Sequence, residues 1–166
     1  MRKTTPKWPH GAAIDFKAPN RRIHTVFVHC SASDKETHDD VSMMREWHVK
    51  GKGWDDVGYH YFITKAGDIQ PGRPVEKTPA AQARYNTGTI AICLHGLMEE
   101  LFTQKQFESL IAFCKSIEAA YPNKKMRFRG HCEVAAKACP VFKYKIVLGL
   151  DASGYMTGST STIPIA

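Results

Sequence analysis

Two short runs in this chain, residues 23–29 and residues 89–94, are apolar or β-branched at almost every position. A strand with no polar alternation has no face to give to water, so it belongs in the interior of a sheet covered on both sides. The first run (Ile23, Thr25, Val26, Phe27, Val28) predicts a buried strand ending at His29, and the second (Thr-Ile-Ala-Ile-Cys-Leu) predicts a central one. Neither run approaches the roughly 20 apolar residues that a membrane-spanning helix needs.

The remaining elements fall around these two. Met43, Met44 and Trp47 stand at helical spacing across residues 42–50, and Gly51 marks the stop. Residues 59–64 read as a strand that turns through Lys65-Ala66-Gly67-Asp68 into a short partner around Ile69. After a long loop over residues 73–88, Thr103 and Gln106 form a capping-box pair. Phe107, Leu110, Ile111, Cys114 and Ile117 then make the apolar stripe of a helix that Pro122 ends. Residues 126–129 read as a last strand, and Pro140 suits the first position of a final short helix. Helices interspersed among short strands predict an α/β fold, a mixed central sheet flanked by helices. At 166 residues the chain fits one domain. Its expected parts are an extended N-terminal segment (1–22), a folded domain (23–150) and a Ser/Thr/Gly-rich flexible tail (151–166).

A net charge of +7 favours polyanionic partners, among them the anionic polymers of a bacterial envelope. The basic residues are dispersed, and no helix-turn-helix, zinc-finger or RNP-like pattern accompanies them, which argues against nucleic acid as the primary partner. No apolar h-region follows the positive first residues, so a secretory signal is not expected. Five cysteines in such a chain predict reduced thiols rather than a disulfide framework, leaving at least one free to bind metal.

A catalytic zinc site takes about three protein ligands and leaves a position open. His29 and His131 each sit at the C-terminal end of a predicted strand, and Cys139 lies eight residues beyond His131 on a loop able to fold back. Spacing alone does not select this triple from eight histidines and five cysteines. His24, His48 and His60 sit in or beside predicted elements and read as packing or hydrogen-bonding residues. Adjacent side chains of a strand point to opposite faces, so Cys30 cannot share the side of His29. Cys30 and Cys132 both read as buried and inert. Glu133 lacks the His-Glu-x-x-His context of a zincin base and reads as structural.

Three ordered motifs go further. They are His29-Cys30-Ser31-Ala32-Ser33, then Trp47-His48 with Gly53-Trp54 and Asp56-Val57-Gly58-Tyr59-His60-Tyr61-Phe62-Ile63, and last Gly130-His131-Cys132-Glu133-Val134-Ala135-Ala136-Lys137-Ala138-Cys139-Pro140. Together they resemble the phage N-acetylmuramoyl-L-alanine amidases, which share a fold with peptidoglycan recognition proteins. The resemblance spans residues 23–145. It implies one Zn2+ per chain on His29, His131 and Cys139, with Tyr59 and Lys137 as catalytic residues beside it. It further implies peptidoglycan as substrate and a lytic role reached once the membrane is permeabilised. Relatives commonly carry a histidine in the loop before the central strand; here Gln82 takes its place, and Gln82, Arg84 and Asn86 are candidates for substrate binding. The resemblance leaves two alternatives open: a module that binds peptidoglycan without cutting it, and an amidase that also binds and regulates a phage RNA polymerase. Cys139, Tyr59 and Lys137 are all present, which favours the catalytic form over the binding module.

Overall fold

The structure is a computed structural model that describes residues 16–164. The first part of the expected N-terminal segment, residues 1–15, lies outside the described residues. A five-stranded sheet runs in the order β3-β2-β4-β1-β5, with β1 at Thr25–Cys30, β2 at Tyr61–Ile63, β3 at Ile69–Pro71, β4 at Thr89–Leu94 and β5 at Arg127–Gly130. β4 and β5 flank β1 in parallel and β2 joins β4 in parallel, while β3 returns antiparallel from β2. The sheet is therefore mixed, and both apolar runs are its central strands, buried along their whole length.

The two-residue period of the strands sorts their side chains into two cores. Val26, Val28, Ile90, Ile92, Leu94 and Ile63 face α2 (Gln104–Ala119), packing on Leu110, Phe113, Cys114 and Ile117. The helix begins as its sequence dictates: the Thr103 hydroxyl accepts from the Gln106 amide, and the Gln106 side chain accepts from the Thr103 amide. Phe62 and Cys93 point the other way, into a smaller core with Met44 and Val57. Met44 belongs to α1 (Val41–Glu46), which Asp40 caps by accepting from the Ser42 amide. His29 alternates with Val28 and Cys30, so its ring also lies on the α1 side.

The structure differs from the sequence reading at three elements. The helix expected over residues 42–50 is regular only to Glu46 and continues as a π-helical turn, Trp47–Gly51. That wider turn brings the His48 ring to the Gly58 amide, whose N–H donates to Nδ1 at 2.8 Å. The last helix, α3, spans Tyr144–Leu148, so Pro140 lies before it and not at its first position. The segment expected to be a flexible tail is docked as far as it is described. The Phe128 amide donates to the Gly154 carbonyl at 2.8 Å, Thr157 to Gly149 at 2.8 Å and Ser161 to Val147 at 3.0 Å. Met156 packs on the larger core. Ser, Thr and Gly supply little apolar area, but their backbone groups complete the free side of β5 and the end of α3.

Removing residues 152–166 should therefore lower the melting temperature. Three or four backbone bonds at about 1 kcal/mol each, and about 2–4 °C per kcal/mol in a domain of this size, give a drop of roughly 6–16 °C. Calorimetry of the truncated chain checks this, and an unchanged melting temperature would contradict the docking.

His60 supplies a second stability test. Its Nδ1 accepts from the Ala91 amide at 3.1 Å and its Nε2 lies 2.7 Å from the Lys77 carbonyl, so the ring ties β4 to the loop after β3 as a neutral group. Burial pushes its pKa down to about 4. The unfolded chain takes up a proton near pH 6.5 and the folded one only near 4. Stability from this group is thus complete above pH 6.5 and is lost as pH falls to 4, a total of about 3 kcal/mol at 1.36 kcal/mol per unit. Urea unfolding between pH 7 and 4 should show this loss, and His60→Gln should flatten part of it.

Candidate metal centre

The parallel register of β1 and β5 creates the site. Val28 pairs with Gly130, so the residues one step beyond, His29 and His131, emerge side by side at the same edge of the sheet. Their ring centroids are 4.6 Å apart. Gly130 is needed here because a Cβ would sit 2.6 Å from the Tyr144 ring. Glu133 locks the corner, accepting from the Gly130 amide at 2.9 Å and from the Tyr144 hydroxyl at 2.5 Å. It is the structural carboxylate that its sequence context suggested.

Cys139 arrives from the loop that follows. The Cys132 amide donates to the Cys139 carbonyl at 2.8 Å, folding the loop back, and the Cys30 amide donates to the Cys139 sulfur at 3.2 Å. One donor atom from each of His29, His131 and Cys139 lies within 4.8 Å of the others. The Cys139 Sγ is 3.8 Å from His29 Nδ1, against about 3.5 Å between neighbouring nitrogen and sulfur ligands of a tetrahedral zinc. Burial, and the nearby His131, push the His29 pKa down to about 3, and burial and Lys137 lower that of His131. Both imidazoles are thus neutral at pH 7 with a lone pair to give. The hydrogen bond shared with the Cys30 thiol, and burial, push the Cys139 thiol up. A divalent cation reverses that by supplying positive charge to the sulfur. Two imidazoles and one thiol suit zinc, and they leave a fourth position facing a cleft.

That cleft holds about 270 Å³ against His131 and Cys139 and adjoins a space of about 430 Å³. Trp54, Lys52, Ala80, Ala81, His131 and Lys137 line both. Among the described residues no aspartate or glutamate lines either space. Lys137 is exposed, and its charge reaches both histidines. Tyr59 borders the smaller space, its ring centroid 5.2 Å from that of His29 and 5.5 Å from that of His48. Burial, and then the thiols of Cys93, Cys139 and Cys30, push the Tyr59 phenol well up, so it keeps its proton at neutral pH. Gly58 lets this stretch approach the Ala80 carbonyl, which a Cβ would meet at 2.3 Å.

The three residues expected to bind substrate separate. Asn86 does border the larger space, although its Oδ1 is occupied by the amides of Ala81 and Gln82. Arg84 is exposed with φ +74 and lines neither space. Gln82 is fully buried and cannot touch a substrate; its Oε1 lies 2.8 Å from His29 Nε2. Cys132, expected to be buried, is exposed, because the turn after β5 swings it outward. Cys30 is buried as expected, and no disulfide forms. Lys52, Trp47 and Trp54 were not singled out as site residues, though Trp47 and Trp54 stand within the matching motifs.

An α/β domain with three converging His and Cys donors at a sheet edge, open to a cation-lined cleft, defines the class: a hydrolase-like fold with a candidate metal pocket. The chain belongs to the N-acetylmuramoyl-L-alanine amidase family, whose model matches residues 19–142. It is 35% identical over 140 residues to an endolysin of Enterobacteria phage T3, covering 81% of this chain and 90% of that one. Its fold is similar to the N-acetylmuramoyl-L-alanine amidase LysC from Clostridium intestinale URNW, with a TM-score of 0.67, 26% identity and coverage of 76% and 83%. It also resembles the ectodomain complex of peptidoglycan recognition proteins LCa and LCx bound to tracheal cytotoxin, with a TM-score of 0.64. At 21% identity, over 75% of this chain and 79% of that one, that likeness concerns the fold. Among the described residues no helix is long and apolar enough to cross a membrane.

Proposed function

We propose that this chain hydrolyses the amide bond between N-acetylmuramic acid and L-alanine in bacterial peptidoglycan, as a phage endolysin, with one zinc held by His29, His131 and Cys139. The observation that carries the reading is the convergence of these donors within 4.8 Å beside a cleft that His131, Cys139, Lys52 and Lys137 line and that, among the described residues, no carboxylate lines. Glycosidases, which also dissolve cell walls, normally need two carboxylates flanking the bond. A zinc ion bound here supplies Lewis acidity toward a carbonyl and lowers the pKa of water to about 7.

The chain's own groups account for the rest. Attack on an amide carbonyl builds negative charge on its oxygen, and Lys137 offers an ammonium at the cleft wall to balance it. Tyr59 retains its phenolic proton and donates it as a hydrogen bond toward the reacting oxygen. Trp54 and Trp47 give the cleft flat apolar walls suited to sugar or peptide, and His29 lies buried, away from bulk water. A peptidoglycan-binding module that does not cut has no use for Cys139, Tyr59 and Lys137 together.

The test is product analysis on purified peptidoglycan. Digestion should free the amino group of the first stem-peptide residue and leave glycan strands with no new reducing ends. New reducing ends without new amino termini, in material cleared of muramidase, would overturn the amidase reading even with zinc bound.

A further inference from the structure

Gln82 touches no cleft, and the hydrogen bonds around it run in a single direction. The Asn86 carbonyl can only accept, and the Thr89 hydroxyl donates to it at 2.8 Å. With its proton so committed, Thr89 Oγ1 accepts from Gln82 at 2.8 Å, which makes the amide end facing Thr89 the NH2 group. The same end reaches the Tyr85 carbonyl at 3.3 Å, a second pure acceptor. Oε1 is therefore the end turned toward His29, 2.8 Å from Nε2. An oxygen lone pair at that distance requires an N–H opposite it. A neutral imidazole carries one ring proton, so His29 Nδ1 is left with its lone pair, and Nδ1 is the nitrogen facing Cys139.

We infer that Gln82 is a positioning residue of the metal centre: anchored by Thr89, it fixes the tautomer and orientation of the His29 ring so that Nδ1 is the ligating atom. This rests on the zinc reading above and adds a role that nothing in the substrate cleft requires. Gln82 reaches His29 from 53 positions away, and its own backbone is held by Asn86, whose Oδ1 accepts the Gln82 amide at 3.0 Å. Partners of this kind on a metal-bound histidine are typically worth about 10–100-fold in metal affinity.

Nitrogen-15 NMR of the metal-free protein reports which ring nitrogen of His29 carries the proton, with the signal assigned by its loss in His29→Gln. The expected result is a proton on Nε2. In parallel, zinc affinity is measured by chelator competition for wild type, Gln82→Leu and Gln82→His. Gln82→Leu removes the acceptor and should weaken zinc binding about 10–100-fold. Gln82→His restores one acceptor and one donor and should recover most of the loss, which a purely space-filling role does not predict. A wild-type His29 protonated on Nδ1, or a folded Gln82→Leu that binds zinc as tightly as wild type, overturns the assignment of Gln82 while leaving the zinc reading in place. If Gln82→Leu does not fold, the wild-type tautomer decides. A wild type that takes up no zinc, yet shows His29 protonated on Nε2, counts against the zinc reading and supports the hydrogen-bond chain.

Discussion

Cys139→Ala is expected to lose zinc and hydrolysis together. A partner that merely orients a ligand is worth about 10–100-fold in affinity, so loss of one of three ligands should exceed about 100-fold. The geometry makes Cys139 hard to replace: its sulfur is fixed by the Cys30 amide at 3.2 Å and its carbonyl by the Cys132 amide at 2.8 Å. Cys132 faces solvent and does not take its place, while the Cys30 thiol, buried in the larger core, serves as the hydrogen-bond partner of Cys139. His29→Ala and His131→Ala should behave alike, and a strong chelator should abolish wild-type activity until zinc returns. Metal analysis and turnover on the same preparations check this, and full activity in metal-free protein would end the proposal.

Lys137→Ala should keep fold and zinc while the catalytic rate falls about 10²–10³-fold, the usual cost of removing a pre-aimed charge from an oxyanion. The side chain is exposed and bonds to no ligand, so neither stability nor metal content should move. Tyr59→Phe should also retain zinc and lose rate, since it removes only the phenolic donor from a ring packed between His29 and His48. Single-turnover kinetics with parallel metal analysis separate the two effects. Loss of zinc in either variant would show that the residue supports the ligands and does not act on substrate.

The parts of the fold legible in the sequence are those whose cause is local. β4 falls on Thr89–Leu94 because six successive apolar or β-branched residues allow little else, and α2 begins at its capping box because Thr103 and Gln106 satisfy each other's amides. The π-helical turn at Trp47–Gly51 was not legible, since Met43, Met44 and Trp47 fit a regular helix equally well. The bond from Gly58 to His48, ten residues away, accompanies the wider turn. The docking of the segment after Asp151 is not legible for a related reason. Its polar composition describes its side chains, whereas its place is set by backbone groups paired with Phe128, Val147 and Gly149.

The candidate site divides along the same line. Its motif residues stand in the sequence, and the resemblance they carry names His29, Tyr59, His131, Lys137 and Cys139. Only the tertiary structure brings together donors 102 and 110 positions from His29, through the parallel pairing of Val28 with Gly130 and the fold-back of Cys139 onto Cys132. Only it removes Gln82 from the substrate and gives it to His29. Short-range chemistry writes capping, strand burial and motif identity into neighbouring residues. Strand register and the direction of a buried hydrogen-bond chain depend on which distant groups meet after packing, and those partners leave no local mark in the chain.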